Sequence, residues 1–225
     1  MLSAPADEPD LHLEPGIAEQ DLRNLFGAAW PAVSSFERLL REHGETRGLI
    51  GPREVPKLWS RHLVNSAALG GFLPAQGSVA DVGSGAGLPG IVLAALRPEL
   101  AFHLVEPMQR RIAWLEEVVE TLELGNVELH RARAADLHGR LRVDVVTARA
   151  VAEIGKLAAW CLPLLRPGGR LLALKGRSAT QEVSAASRAL GRLGVARTQI
   201  HAVDVLGASD PTTVVELTLG RPSRR

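Results

Sequence analysis

Apolar and polar positions along the chain alternate in two distinct rhythms. From Ala18 to about His43 the apolar residues Leu22, Leu25, Phe26, Ala29, Val33, Phe36 and Leu39-Leu40 recur at helical spacing and mark one buried face. Pro31 interrupts this face and predicts a kink or a split into two helices. A second helix is predicted from about Val55 to Ala68, with Leu58, Trp59, His62, Leu63 and Ser66 sharing a face and Pro56 tolerated in its first turn. Gly70-Gly71 and Pro74 then form a linker.

Beyond Gly77 the rhythm changes to short apolar runs separated by amphipathic stretches, the pattern of a doubly wound parallel sheet. The predicted strands are Ser78–Val82, Ala101–Val105, Val127–His130, Val143–Thr147 and Arg170–Leu174, and the predicted helices Leu88–Leu96, Met108–Leu122, Ala152–Leu165 and Gln181–Leu193. Two β-rich runs finish the chain, Arg197–Val205 and Thr213–Leu219, with too little between them for a helix. They predict a hairpin and one antiparallel strand at the end of the sheet. The chain therefore divides into a leader (1–17), a helical extension (18–74) and an α/β domain (75–220).

Composition changes this picture little. Apolar residues make up 46% of 225, enough for a core without staples. The single cysteine, Cys161, lies in an apolar run, which excludes a disulfide framework and suits a reducing cytoplasm. No apolar run approaches a membrane span. The Pro- and acid-rich leader lacks the layout of a signal peptide and reads as disordered. A formal net charge of +1 gives no global nucleic-acid signal, so any such argument rests on local clusters. The seven histidines show no metal-binding motif spacing along the chain, and no metal is expected.

The candidate chemistry centres on Asp81-Val82-Gly83-Ser84-Gly85-Ala86-Gly87-Leu88-Pro89-Gly90, a strand end, a glycine turn and a helix start. Such a turn lets a ligand approach the backbone. Gly85, Gly87 and Gly90 fit a dinucleotide loop, whereas Gly83, Gly85 and Gly87 fit the loop of S-adenosylmethionine (SAM)-dependent methyltransferases. Asp81, placed just under the ligand, would repel a pyrophosphate but suits the cationic SAM. Glu106 at the end of the second strand is positioned for the two ribose hydroxyls of an adenosine. That fits SAM or NAD, so a nicotinamide-dependent Rossmann oxidoreductase stays open beside a SAM methyltransferase for RNA or a small molecule, as does a non-catalytic RNA-binding module.

Further strand ends supply cations. Arg149 and Lys175 are expected to form a basic wall facing the substrate. Arg47, Arg53, Lys57 and Arg61 of the extension, and Arg177, can add phosphate contacts if the extension packs over the crevice. His62 stands in Arg61-His62-Leu63-Val64-Asn65-Ser66 on a half-apolar helix face.

With these residues assembled, the chain resembles the glucose-inhibited division protein B family. The matching stretches are Arg61–Ser66, Asp81–Gly90, Leu104-Val105-Glu106, Arg133-Ala134-Ala135, Thr147-Ala148-Arg149-Ala150-Val151-Ala152 and Leu174-Lys175-Gly176. The resemblance implies a Rossmann-like SAM-dependent methyltransferase, parallel with one antiparallel strand and with an N-terminal helical extension, acting on guanine N7 in the 530 loop of 16S ribosomal RNA. It implies cofactor contacts at Gly83, Leu88, Ala134, Ala135 and Arg149, beside Asp81, Gly85, Gly87 and Glu106 from the loop reading. Arg149 and Lys175 are expected to position the base. RNA contacts are expected at Arg47, Arg53, Arg61, His62, Lys175 and Arg177. The implied partner is 16S ribosomal RNA or a small-subunit ribonucleoprotein, met by a cytoplasmic monomer. Three positions depart from the family: Asn65 and Ala135 stand where it has Asp and Glu, and Arg47-Gly48-Leu49-Ile50 replaces a polar segment.

Overall fold

The computed structural model describes residues 12–149, 151–206 and 211–221. Most of the predicted leader, Ala150 and the centre of the last hairpin connection lie outside the described residues. The N-terminal periodicity resolves into α1 (Glu19–Phe26), a tight turn at Gly27–Ala29 and α2 (Trp30–His43). The split anticipated at Pro31 falls just before it, because proline fits the first turn of a new helix, where its missing N–H costs nothing. The second predicted helix is more irregular. A short 3-10 turn (Val55–Lys57) leads into a π-helix (Leu58–Val64), which closes in α3 (Asn65–Ala67). Its predicted face is correct: Leu58, Trp59, His62, Leu63 and Ser66 are all buried. Trp59 stacks on Trp30 with ring centroids 5.5 Å apart, which fixes the π-helix against α2.

The sheet contains β1 (Ser78–Val82), β2 (Ala101–Val105), β3 (Val127–His130), β4 (Val143–Arg149), β5 (Leu165–Lys175), β6 (Val195–Val203) and β7 (Thr212–Leu219). Their order is β3-β2-β1-β4-β5-β7-β6. β1 to β5 pair in parallel, and β7 lies antiparallel between β5 and β6. The expected single antiparallel strand is thus present, inserted inside the edge rather than added outside it. β5 begins earlier than the predicted Arg170, taking in Leu165–Gly169, and its register with β4 shifts between Val143 and Val145.

The helices form two layers. α6 (Ile154–Cys161) and α7 (Ala179–Arg192) cover one face through Leu157, Ala158, Cys161 and Leu190 against Ala80, Val146, Leu171 and Val215. Burial pushes the Cys161 thiol up, as suits a core cysteine and not a nucleophile. The opposite face carries α4 (Gly90–Leu96) and α5 (Gln109–Thr121). There Leu22, Phe36, Leu40, Leu58 and Trp59 of the extension join Leu88, Ile91, Trp114 and Leu115 in a single cluster. The extension thus shares the core of the sheet domain and stands beside the crevice at the strand ends. No described helix is long and apolar enough to cross a membrane.

Candidate active site

The glycine turn between β1 and α4 is held from below by one carboxylate. Asp81 is 1% exposed; it accepts from the Gly90 amide at 3.0 Å and from the Thr147 hydroxyl at 3.0 Å. Desolvation raises its pKa to about 6 against the pull of these donors. Asp81 does not line the cavity above it, contrary to the expectation of an acid in contact with the ligand. Both of its oxygens are occupied in pinning α4 and β4 to the turn. Gly87 is likewise structural. It has φ +102, and an added Cβ would lie 2.7 Å from Ile91 and 3.1 Å from Phe36.

Above the turn opens a cavity of about 760 Å³, within the usual range for a small-molecule site. Gly83, Gly85 and Leu88 line it, as do Glu106, Ala134, Ala135 and Arg149. These are seven of the positions expected at the cofactor. Glu106 accepts from the Gly85 amide at 3.1 Å and the Met108 amide at 2.9 Å, which fixes its carboxylate at the mouth. Arg111 also donates to the carboxylate at 3.4 Å, and the lone-pair direction left on Oε1 can accept a ligand hydroxyl. Gly83 and Gly85 both have positive φ; a Cβ at Gly85 would make only ordinary contacts, the nearest at 3.7 Å, whereas one at Gly83 would lie 2.9 Å from Val151. Trp114 holds the turn from behind by donating to the Ala86 carbonyl at 3.0 Å. A glycine cradle, an anchored carboxylate and small side chains at Ala134 and Ala135 fit an adenosine-bearing cofactor such as SAM. At Ala135 the wall offers a methyl group and backbone in place of a carboxylate.

Arg149 closes the wall beside the extension. One guanidinium N–H donates to His62 Nδ1 at 2.7 Å, and His62 Nε2 lies 3.1 Å from a Glu54 carboxylate oxygen. Burial and the neighbouring guanidinium push the His62 pKa down to about 4. The imidazole is therefore neutral near pH 7, accepting from Arg149 and donating to Glu54. Burial also lowers the Arg149 pKa, while Asp81 and Glu54 oppose that shift. Glu54 was not singled out in the sequence. It lies before the irregular helix, where no periodicity links it to His62. Met108, Arg111 and Trp160 are further wall residues that no motif marked.

Three expectations for the substrate side need correction. His62 is buried, so it orients Arg149 and does not present itself to RNA. Lys175 does not line the cavity: its ammonium donates to the Ala152 carbonyl at 2.6 Å and pairs with Glu182 at 2.6 Å. Glu182 also accepts from the Ile154 amide at 3.2 Å, so the pair braces the segment that follows Arg149. Arg47 is paired with Glu117 at 2.5 Å and lies over the Trp114 ring, which staples its loop to α5. Arg61 is exposed but shares Glu54 at 3.1 Å. Arg53 and Arg177 are exposed. Asn65, where the family has Asp, donates to the Arg61 carbonyl at 3.2 Å and accepts from Thr212, tying the extension to β7.

The strand order and this cavity define a class, the SAM-dependent methyltransferases. Solved structures agree on the fold. A putative SAM-dependent methyltransferase from Methanococcus maripaludis superposes with TM-score 0.57 at 12% identity, covering 84% of this chain and 94% of that one. TYW2 of M. jannaschii in complex with AdoMet gives 0.56 at 16% identity, covering 73% and 78%. The chain belongs to the GidB, or rRNA small subunit methyltransferase G, family, whose model matches residues 30–206. The ribosomal RNA small subunit methyltransferase G of Beutenbergia cavernae is 56% identical over 197 residues, covering 88% of this chain and 93% of that protein. The corresponding protein of Thermobifida fusca is 50% identical over 202 residues, covering 88% and 83%. The nicotinamide-dependent reading is thereby set aside.

Proposed function

We propose that this protein methylates N7 of a guanine in the 530 loop of 16S ribosomal RNA, with SAM as donor, acting as a cytoplasmic monomer. One observation carries the chemical part of this reading. Among the described wall residues the ionisable groups are Arg111, Arg133, Arg149 and a Glu106 already tied to two amides, so the wall offers no free general base. Guanine N7 needs none, because its lone pair lies in the ring plane outside the aromatic system.

The bound cofactor supplies an electrophilic methyl group. The chain's own residues then act by placement. The Gly83–Gly85 backbone and Glu106 hold the adenosine end. Arg149, aimed by His62 and Glu54, stands where the substrate enters and can donate to the guanine O6 while leaving N7 free. A guanidinium held by an acceptor on one side keeps its remaining donors in a fixed plane, which suits recognition of a base edge. The cationic ring that forms on methylation is offset by nucleic-acid phosphates, not by the protein. The extension, with Arg53 and Arg61 exposed, forms the bank on which RNA lies, and Arg177 contributes from the turn after β5. Lys175 acts indirectly, through the braced segment after Arg149. A crevice of this kind takes a base from a loop or an unstacked position.

The test is transfer of an isotope-labelled methyl group from SAM to purified small-subunit particles and to naked 16S RNA, followed by nucleoside analysis. Label recovered as 7-methylguanosine is expected. Label in another nucleoside, or none on either substrate while S-adenosylhomocysteine stabilises the protein, contradicts the reading.

A further inference from the structure

The strand pairing brings together three side chains that the linear sequence keeps apart. His103 on β2 stands opposite Glu128 on β3, and Val105 stands opposite His130. Residues two apart on a strand share a face, so His103, Glu128 and His130 project together from the sheet. Register with Ala80 puts them on the α6 and α7 side. Those helices cover β1, β4, β5 and β7 there. The connection from β3 to β4 contributes a 3-10 turn at Ala134–Leu137, which packs near α6, and no α-helix among the described residues. This end of the sheet therefore remains open to solvent, with both histidine side chains 17% exposed and Glu128 65% exposed.

We propose that His103, Glu128 and His130 form a binding site for a divalent transition-metal ion of the zinc class. His103 Nδ1 lies 3.0 Å from His130 Nε2. The two Glu128 oxygens lie 3.3 Å from His103 Nδ1 and 3.5 Å from His130 Nε2. Ligand atoms about 2.0–2.1 Å from a tetrahedral ion stand roughly 3.3 Å from one another, so the three groups already have the spacing of three corners of such a site. Two imidazoles and one carboxylate suit zinc-class ions better than magnesium or calcium, which favour oxygen ligands. The solvent side leaves the fourth position to water.

Charge supports the same reading. Three electron-rich groups converge, and the nearby cation, Arg166, is engaged by Asp144 at 2.6 Å. A metal ion would balance these electron-rich groups and clip the edge strand β3 to β2. The clip would lie beside the cofactor cavity, since the Glu106 amide donates to the His130 carbonyl at 3.1 Å and Ala132–Ala135 follow in the cavity wall. The expectation of no metal came from spacing along the chain, which cannot register a site assembled across two parallel strands.

The test uses the full chain without an affinity tag, stripped with a chelator and titrated with Zn²⁺, then with Co²⁺ as a spectroscopic stand-in. One equivalent of Zn²⁺ should bind, raise the melting temperature and resist competition by excess Mg²⁺. Co²⁺ should show the visible absorption of a four-coordinate ion. His103→Ala and His130→Ala should each weaken binding at least about tenfold, since even a partner hydrogen-bonded to a metal ligand is worth that much. Glu128→Gln, at an exposed position that does not threaten folding, should weaken it as well. Absence of saturable Zn²⁺ binding would overturn the proposal and leave a directly hydrogen-bonded imidazole pair. Unchanged affinity in all three variants would overturn it too.

Discussion

The two banks of the cavity are built in different ways. On the sheet side, backbone makes the site: Gly83 and Gly85 turn with positive φ, and Asp81 and Glu106 act by gathering amides. On the extension side, side chains make it, in the relay Glu54–His62–Arg149. A backbone-built bank tolerates little variation in shape. A side-chain bank can be retuned one residue at a time. On the proposed function, that contrast separates a cofactor cradle from a substrate wall, and it predicts different consequences when each is damaged.

Arg149→Ala should cause the largest loss, because it removes the one group that both banks share. A fall of about 10²–10³-fold in kcat/KM is expected, the order seen when a preorganised donor is lost. Arg149→Lys should recover little of it, since an ammonium cannot both bond His62 and present a planar donor edge. Steady-state methyl transfer on small-subunit particles checks both.

Gly83→Val should break the sheet bank. The residue would be held at φ +73, and its Cβ would sit 2.9 Å from Val151. Strain of about 1–3 kcal/mol corresponds to roughly a ten- to hundredfold loss of cofactor affinity. Calorimetric titration with S-adenosylhomocysteine should show it.

Glu54→Gln should instead loosen the extension bank. The expected loss is about tenfold in kcat/KM with cofactor affinity within about twofold of wild type, since one charge-assisted hydrogen bond is worth ~1.5–3 kcal/mol at most. An equal loss in cofactor affinity would contradict the division into two banks.

Acid stability distinguishes the banks more finely. His62 titrates near 4 when folded against 6.5 as a free group, so below about pH 6.5 the unfolded chain takes up a proton that the folded chain refuses. Stability from this source falls as the pH drops from about 6.5 towards 4. Asp81 has the opposite sign. Raised to about 6 from 3.8, it binds a proton more readily when folded, and its contribution falls as the pH rises from about 4 to 6. His62→Gln should therefore lose less stability than wild type between pH 6.5 and 4.5, and Asp81→Asn should lose more. Differences of about 1–2 kcal/mol are expected, because one pKa unit is worth ~1.4 kcal/mol. Urea denaturation across that pH range measures them.

The smallest effect should come from Arg53→Ala, at an exposed position of the extension. RNA affinity should fall a few-fold, with the salt slope reduced by about one and methyl transfer at saturating RNA unchanged.

The same division explains what was legible in the sequence. The sheet bank was readable because its rules are local: glycines at a strand end, an acid closing the next strand, and an apolar period of two. Asp81 and Gly87 were found for the right loop but with the wrong duty, since a sequence does not say which way a carboxylate faces. The extension bank was only partly readable. The apolar face of its helix and Arg149 were found, but Glu54 meets His62 through a turn. Lys175 looked like a substrate cation because its partner Glu182 lies in the following helix, and Arg47 because Glu117 lies far along the chain. Ion pairs between distant segments leave no spacing signal. The cluster of His103, Glu128 and His130 was invisible for the same reason.

The central claim is tested most directly by mapping 7-methylguanosine in small-subunit ribosomal RNA from cells with and without this protein. One such modification, in the 530 loop, should vanish when the protein is removed and return with the wild-type chain but not with Arg149→Ala. A methylation pattern unchanged by its removal would contradict the account.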